Sequence, residues 1–352
     1  MRMSAFIEIK GRQIGLGRPA YIIAELSANH ARDFDQAASA VRVAKEVGAD
    51  AVKLQTYRPD TLTIRSGSDY FRISGGTPWD GRFLYDLYGE SYMPWEWQPK
   101  LKAIAEEIEI DLFSTAYDGS ALNFLEEMGV PVHKVASFEI VDIPLIEKMA
   151  RTGKPLIIST GMATLGEIDE AVRGARNAGA TQIALLKCTS AYPAPPEEMN
   201  LRTIPHLAEA FGVPTGLSDH TLGISVPVAA VALGACIIEK HFTLSRDIPS
   251  PDSCFSLEPQ EFKTMVEAVR TVEKALGEVR YDVGEQEAQS RVFCRSLFAV
   301  KDIRAGEVFT EENVCSIRPA HGLHPRHLKT VLGRRAAQDI ELGTPLSWDL
   351  IS

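Results

Sequence analysis

His220, in SDHTLG, and His241, in EKHFTL, each close a short apolar run, and the two runs are consecutive along the chain. If they form neighbouring parallel strands, about 5 Å apart, both imidazoles reach one ion. A lone buried histidine is usually structural; it is the pairing that raises the metal reading. No third obvious ligand stands beside them, so water and substrate oxygens would complete the shell. An open site of mixed nitrogen and oxygen donors suits Mn²⁺, Mg²⁺ or Co²⁺ acting as a Lewis acid better than a closed structural zinc. Asp219 and Glu239, close by in sequence, are candidates for orienting the rings.

Lys53 in AVKLQT, Lys134 in VHKVAS and Lys187 in QIALLKC form a second set, again at the ends of apolar runs. The chain carries a net charge of −10, so one that handles an anion must concentrate positive charge locally. Any one of these lysines could be a surface side chain with a buried stem. Around one mouth they would hold a phosphate or carboxylate, with hydroxyls of Ser114, Ser137, Ser159 and Ser190 as further donors. Gln55, Ser218 and Glu239 share the same strand ends and complete the candidate substrate-binding set there. Glu25 in AELSANH and Asp252 in PSPDS are candidate acid/base carboxylates, although each alone is more often a loop anchor. Asn29 and His30 follow Glu25 and either cap the next helix or touch ligand. A Schiff-base aldolase remains a rival use of such a lysine.

The elements that must present these residues are apolar runs at 21–26, 51–56, 111–116, 132–137, 155–160, 182–188, 214–220 and 235–242, with amphipathic helical segments between most of them. Strands that read as continuous apolar runs are covered on both faces, as in a parallel sheet wrapped by helices. An open doubly wound sheet would fit the alternation too, but would spread the polar strand ends along a line. A (β/α)8 TIM barrel brings them to one mouth, and is the expected fold. Residues 57–95 are too long for an ordinary βα loop, and residues 70–97 hold aromatics including Trp79, Trp95 and Trp97. Individually those rings pack the insertion onto the barrel; as a group, some wall a pocket.

The βα pattern ends in a charged connector, and the tail has short runs with turn signals such as RAGE and ELGT. The expected division is a barrel over 1–280, a linker over 281–295 and a small β-rich domain over 296–352. The acidity argues against a nucleic-acid partner, and no apolar run is long enough to span a bilayer. Five scattered cysteines without a CxxC pair, and an opening stretch unlike a signal peptide, point to a cytoplasmic location.

AELSANH, GADAVKLQT, FSTAYD, KVASFEI, ISTGMAT, LLKCTSAYPAP, GLSDHTLG, EKHFTL and SLEPQEF, taken in order, resemble the sialic acid synthase family across the whole barrel. The tail, with SIRPAHGLHP, resembles that family's antifreeze-like (SAF) domain. The resemblance implies condensation of phosphoenolpyruvate with an open-chain aminosugar, a divalent metal, and release of phosphate. It implies His220 and His241 as metal ligands, which with Glu25 and Asp252 make up the catalytic set. It implies Lys53 and Lys134 as phosphoenolpyruvate contacts, Ser190 and Tyr192 as ligand contacts, and Asp252 facing the sugar. Arg318 would reach the barrel of a second subunit in a homodimer. SANH, LKCTSAYP and YFRISGGTPWDG look like the pseudaminic acid branch, whereas the neuraminic branch favours GxNHNG and HCT. The implied sugar is 2,4-diacetamido-2,4,6-trideoxy-L-altrose, whose methyl group suits an aromatic wall. Synthases of N-acetylneuraminic, legionaminic or spore-coat sugar acids are the nearest alternatives, and a non-catalytic carbohydrate-binding protein is a more distant one.

Overall fold

Runs of β-branched and aliphatic residues at regular intervals become eight parallel strands that close on themselves. The computed structural model describes residues 6–77 and 79–352; the first five residues of the opening stretch and Pro78 of YFRISGGTPWDG lie outside the described residues. Two strands precede the barrel: β1 (Phe6–Ile9) and β2 (Arg12–Gly15). The barrel strands are β3 (Tyr21–Glu25), β4 (Ala51–Thr56), β5 (Asp111–Ala116), β6 (His133–Val135), β7 (Leu156–Ser159), β8 (Ile183–Cys188), β9 (Thr215–Asp219) and β10 (Ile237–His241). Each pairs with its successor, and β10 pairs with β3 to close the ring. The expected (β/α)8 barrel is therefore the fold, and every expected run contains a strand.

Helices between the strands are fixed at their starts by side chains that satisfy free amide groups. Asp33 caps Phe34–Glu46, Asp118 caps Gly119–Met128, and Thr164 forms a reciprocal capping box with Glu167 at the start of Leu165–Asn177. Each such cap is worth about 1 kcal/mol. Alanine, valine and leucine on one face of these helices pack onto the strands. Among the described residues, no helix is long and apolar enough to cross a membrane.

The β1–β2 hairpin was not foreseen. Its signal is the alternation FIEI followed by Lys10-Gly11, which adopt φ of 46° and 82° as a tight hairpin turn requires. Ile7, Ile9 and Ile14 join one cluster with Tyr21, Ala51, Leu156, Ile183 and Ile237, the first residues of five barrel strands. The hairpin thus floors the barrel at the end away from the polar strand ends.

The chain divides into Met1–Gly277 and Glu278–Ser352. The second unit has its own core of Leu297, Phe309, Val314, Val331, Ile340 and Leu346 around an antiparallel pair, β11 (Ser296–Ala299) and β12 (Val314–Ile317). Arg318 follows β12 and is exposed. Isolated bridges such as Ile303 to Ile340 and Ala336 to Ile351 complete its β-rich character.

Candidate active site

Successive strand residues face opposite sides, so inward positions at the C-terminal ends of the eight strands converge. They line a cavity of about 460 Å³ that contains Glu25, Lys53, Gln55, Lys134, Ser137, Ser159, Ser190, Tyr192, Ser218, His220, Glu239, His241 and Asp252. The sequence named all of these, and the barrel brings them together.

Charge is densest where β3, β4 and β10 meet. Lys53 Nζ lies 2.7 Å from Glu25 Oε2, 3.7 Å from Glu239 Oε1 and 3.2 Å from Thr115 Oγ1, all buried. Burial pushes the Glu25 carboxyl up, to about 7, against the pull of Lys53. Burial acts on Glu239 in the same direction, but Lys134 and Lys53 outweigh it and hold that carboxyl below its usual range. Glu239 is thus the ionised partner of the lysines, and Glu25 is poised to exchange a proton near neutrality. Lys134, also buried, donates to Ser159 Oγ at 2.7 Å and Val135 O at 2.8 Å; burial draws its ammonium below the ordinary value.

Ser190 Oγ donates to Ser137 Oγ at 2.9 Å, and the loop after β7 passes directly over this pair. A Cβ at Gly161 would stand 2.4 Å from that of Ser137 and 3.0 Å from Ser190 Oγ, and its φ of 48° also favours glycine. Only a bare backbone fits beside these hydroxyls. The result is a cradle of lysine ammoniums and serine hydroxyls on one side of the cavity.

His220 and His241 face each other with ring centroids 5.4 Å apart, and Tyr192 lies 4.3 Å from the His220 ring. His220 Nδ1 bonds the Thr189 carbonyl at 2.8 Å; burial works to lower the pKa of the ring, but the neighbouring Cys188 thiol and that carbonyl outweigh it and raise it above its ordinary value. Burial, reinforced by His220, drives His241 well below its ordinary pKa, and its Nδ1 is buried with no protein partner. Glu239 Oε2 is likewise buried without a hydrogen bond. The paired imidazoles, with His241 Nδ1 unpartnered, are nitrogen donors of the type a divalent cation takes. Among the described residues no group of three or more histidine, cysteine or carboxylate side chains is arranged to hold a metal ion, so the two histidines alone carry the metal reading.

Four expectations need correction. Ser114 faces the helical layer, where its Oγ lies 2.7 Å from Thr56 Oγ1; its neighbour Thr115 faces in and meets Lys53. Lys187 also points away, bonding Cys188 O at 2.7 Å and Thr189 Oγ1 at 3.1 Å, while Cys188 lines the cavity. Strand alternation is the reason in both cases. Asp219 orients neither histidine: it pairs with the buried Lys240 at 2.5 Å and with Thr221. Glu239 bonds Ser218 and Lys53 instead of an imidazole.

The insertion after β4 supplies the other wall. Asp80 accepts the amides of Gly76 and Thr77 at 2.8 and 2.9 Å, folding a tight loop bridged from Arg72 to Phe83. Ile73, Thr77, Trp79, Leu84, Leu87 and Tyr88 then line the cavity. Trp95 and Trp97 do not; the first packs on Phe124 and the second on His30 and Phe34. His30 is held by the amide of Arg32, which leaves Asn29 to tie the neighbouring loops together. Sequence reasoning missed Ser27, Tyr57, Tyr117 and Glu139 as lining residues. Tyr117 and Glu139 stand just after strands, in FSTAYD and KVASFEI, and their position was a usable signal.

A NeuB family model matches residues 40–281, and a SAF domain model matches residues 295–352. The chain is 46% identical over 333 residues to the pseudaminic acid synthase of Helicobacter pylori, covering 94% of this chain and 98% of that protein. It is 35% identical over 342 residues to the N,N'-diacetyllegionaminic acid synthase of Legionella pneumophila, with 96% of each covered. Among solved structures, N-acetylneuraminic acid synthetase from Leptospira borgpetersenii, in complex with citrate, superimposes with a TM-score of 0.73 at 32% identity. That match covers 82% of this chain and 95% of the other.

Proposed function

The chain belongs to the NeuB family, and from that premise we propose that it condenses phosphoenolpyruvate with 2,4-diacetamido-2,4,6-trideoxy-L-altrose to give a nonulosonic acid and phosphate. The observation that carries the reading is the two-sided cavity: an ammonium and hydroxyl cradle faces an aromatic and aliphatic wall. The cradle suits a small dianion, and the wall suits a deoxy sugar with a methyl group and acetamido methyls.

In this reading Lys53, Lys134, Ser137, Ser159 and Ser190 bind the phosphate and carboxylate and offset their charge. His220 and His241 would hold a divalent cation, which when bound would supply Lewis-acid polarisation of the sugar carbonyl. Gln55, Tyr192 and Asp252 hold the open-chain sugar so that its aldehyde carbon meets the methylene carbon of phosphoenolpyruvate. A carbon–carbon bond forms there, the π pair of the aldehyde moves onto its oxygen, which takes a proton to become a hydroxyl, and carbon 2 of phosphoenolpyruvate becomes cationic. Water adds at that carbon, Glu25 takes its proton at a carboxylate oxygen, and phosphate leaves by carbon–oxygen cleavage. Cytoplasmic location and a homodimer, in which Arg318 serves the other subunit's barrel, belong to the same reading; an active monomer in sedimentation would exclude the latter.

The experiment is a panel of aminosugars with phosphoenolpyruvate, following phosphate release and product mass. Release should require the altrose derivative, cease with a chelator and return with Mn²⁺, Mg²⁺ or Co²⁺. Preference for N-acetylmannosamine would overturn the sugar; pyruvate trapped by borohydride would overturn the chemistry.

A further inference from the structure

Ser27 lies in the loop after β3, buried, lining the cavity, and with φ of 45°. Left-handed backbone is unfavourable for a residue with a Cβ, and glycine would adopt it freely. A serine held there therefore points to a use for its hydroxyl. The loop does not need that hydroxyl as a tie. Asn29 already joins it to its neighbours, donating to Phe242 O at 2.9 Å and Ser256 Oγ at 2.8 Å and accepting from Ser250 Oγ at 2.5 Å.

The hydroxyl instead completes a chain between two carboxyl groups. Gln55 Nε2 donates to Glu25 Oε1 at 2.9 Å and to Ser27 Oγ at 2.8 Å. An amide nitrogen only donates, so the Ser27 proton is directed onto its other neighbour, Asp252 Oδ2. The amide of Ala28 points at the same oxygen from 3.4 Å. Among the described residues no protein group donates to Asp252 Oδ1, although Asp252 lines the cavity. One carboxylate oxygen is clamped and the other is left for a ligand.

We propose that Ser27 is a positioning residue for sugar recognition: its hydroxyl clamps Asp252 Oδ2 and so aims Oδ1 at a hydroxyl or acetamido N–H of the sugar. The inference rests on the reading of this cavity as an aminosugar site. Gln55 makes the clamp continuous with Glu25, so the group that aims the sugar and the group that handles the proton share one rigid line of hydrogen bonds.

The test compares wild type, Ser27→Gly, Asp252→Asn and the double variant in steady-state kinetics against each substrate, with melting temperatures. Ser27→Gly should lower kcat/KM for the sugar about tenfold or more while KM for phosphoenolpyruvate stays within about twofold. Its melting temperature should stay within about 2 °C of wild type, because release of the left-handed backbone offsets the lost hydrogen bonds. The double variant should be no worse than Asp252→Asn alone, since both changes remove one device. Unchanged sugar kinetics in Ser27→Gly, or independent losses in the double variant, would overturn the proposal. Equal losses toward both substrates with a lowered melting temperature would show a merely structural serine and overturn it too. A wild-type enzyme that prefers N-acetylmannosamine would displace the proposed sugar but not this inference, which the same variants then decide on that sugar. An enzyme that consumes phosphoenolpyruvate with no aminosugar would remove both.

Discussion

Charge gathers at both ends of the barrel, half-buried at the floor and buried at the mouth, and the two ends treat it differently. At the floor, Asp50 accepts the amide of Ile22 at 2.8 Å and pairs with Arg270 at 3.1 Å and with Arg12. Glu273 accepts from Ala20 at 2.5 Å and Arg270 at 3.0 Å, so each charge meets its opposite. At the mouth, Lys134 bonds only neutral oxygens among the described residues, and Glu239 Oε2, Glu139 Oε2 and His241 Nδ1 are buried without hydrogen bonds. The floor recovers the cost of desolvation from protein partners throughout, whereas the mouth recovers it only in part, through the pairing of Lys53 with Glu25 and Glu239. A polar set left incomplete by its own chain is completed by what binds there.

That contrast makes opposite demands on substitutions at the two ends. The largest effect is expected from Lys134→Met, which should cut kcat/KM for phosphoenolpyruvate by about 10²–10³-fold. Its urea midpoint should match or exceed wild type, because a buried ammonium with no carboxylate in direct hydrogen bond is replaced by an apolar chain of similar length. A mutant that unfolds early would show Lys134 to be structural. Asp50→Asn should do the reverse, costing about 1–3 kcal/mol of stability while kcat/KM stays within about threefold. Strong loss of activity there would erase the distinction between floor and mouth.

The smallest effect concerns Glu139, whose carboxyl burial raises from 4.5 to about 7. A carboxyl raised by folding binds its proton more tightly in the folded chain, so stability falls as pH rises from about 4.5 to 7 and stays reduced above that. Glu139→Gln does not titrate, so its stability relative to wild type should climb across this window. The gain should be about 2 kcal/mol by pH 8, allowing for partial solvent screening, and denaturant melts at several pH values measure it. A difference that is flat with pH would mean Glu139 is not strained by burial.

The resemblance of ordered motifs was legible because a barrel imposes its pattern locally. Strands buried on both faces must be apolar throughout, and function collects at their C-terminal ends, so Glu25, Lys53, Lys134, His220 and His241 were visible as polar residues ending apolar runs. The tail's change of pattern was visible for the same reason, since RAGE and ELGT break the βα alternation.

What the runs could not reveal is which of two adjacent polar residues faces inward. A shift of one residue turns a strand side chain from the mouth to the helical layer, and sequence carries no mark of the barrel's register. Ser114 was therefore named where Thr115 faces in, and Lys187 where Cys188 does, until the closed sheet chose between neighbours. Partners distant in sequence were hidden too. Ser27 meets Asp252 across 225 residues, and Asp219 finds Lys240 on the neighbouring strand. Composition and periodicity determined the scaffold and its polar rim, because they act through local burial. The geometry of the rim was decided by closure of the barrel, because only closure sets which side chains share one space.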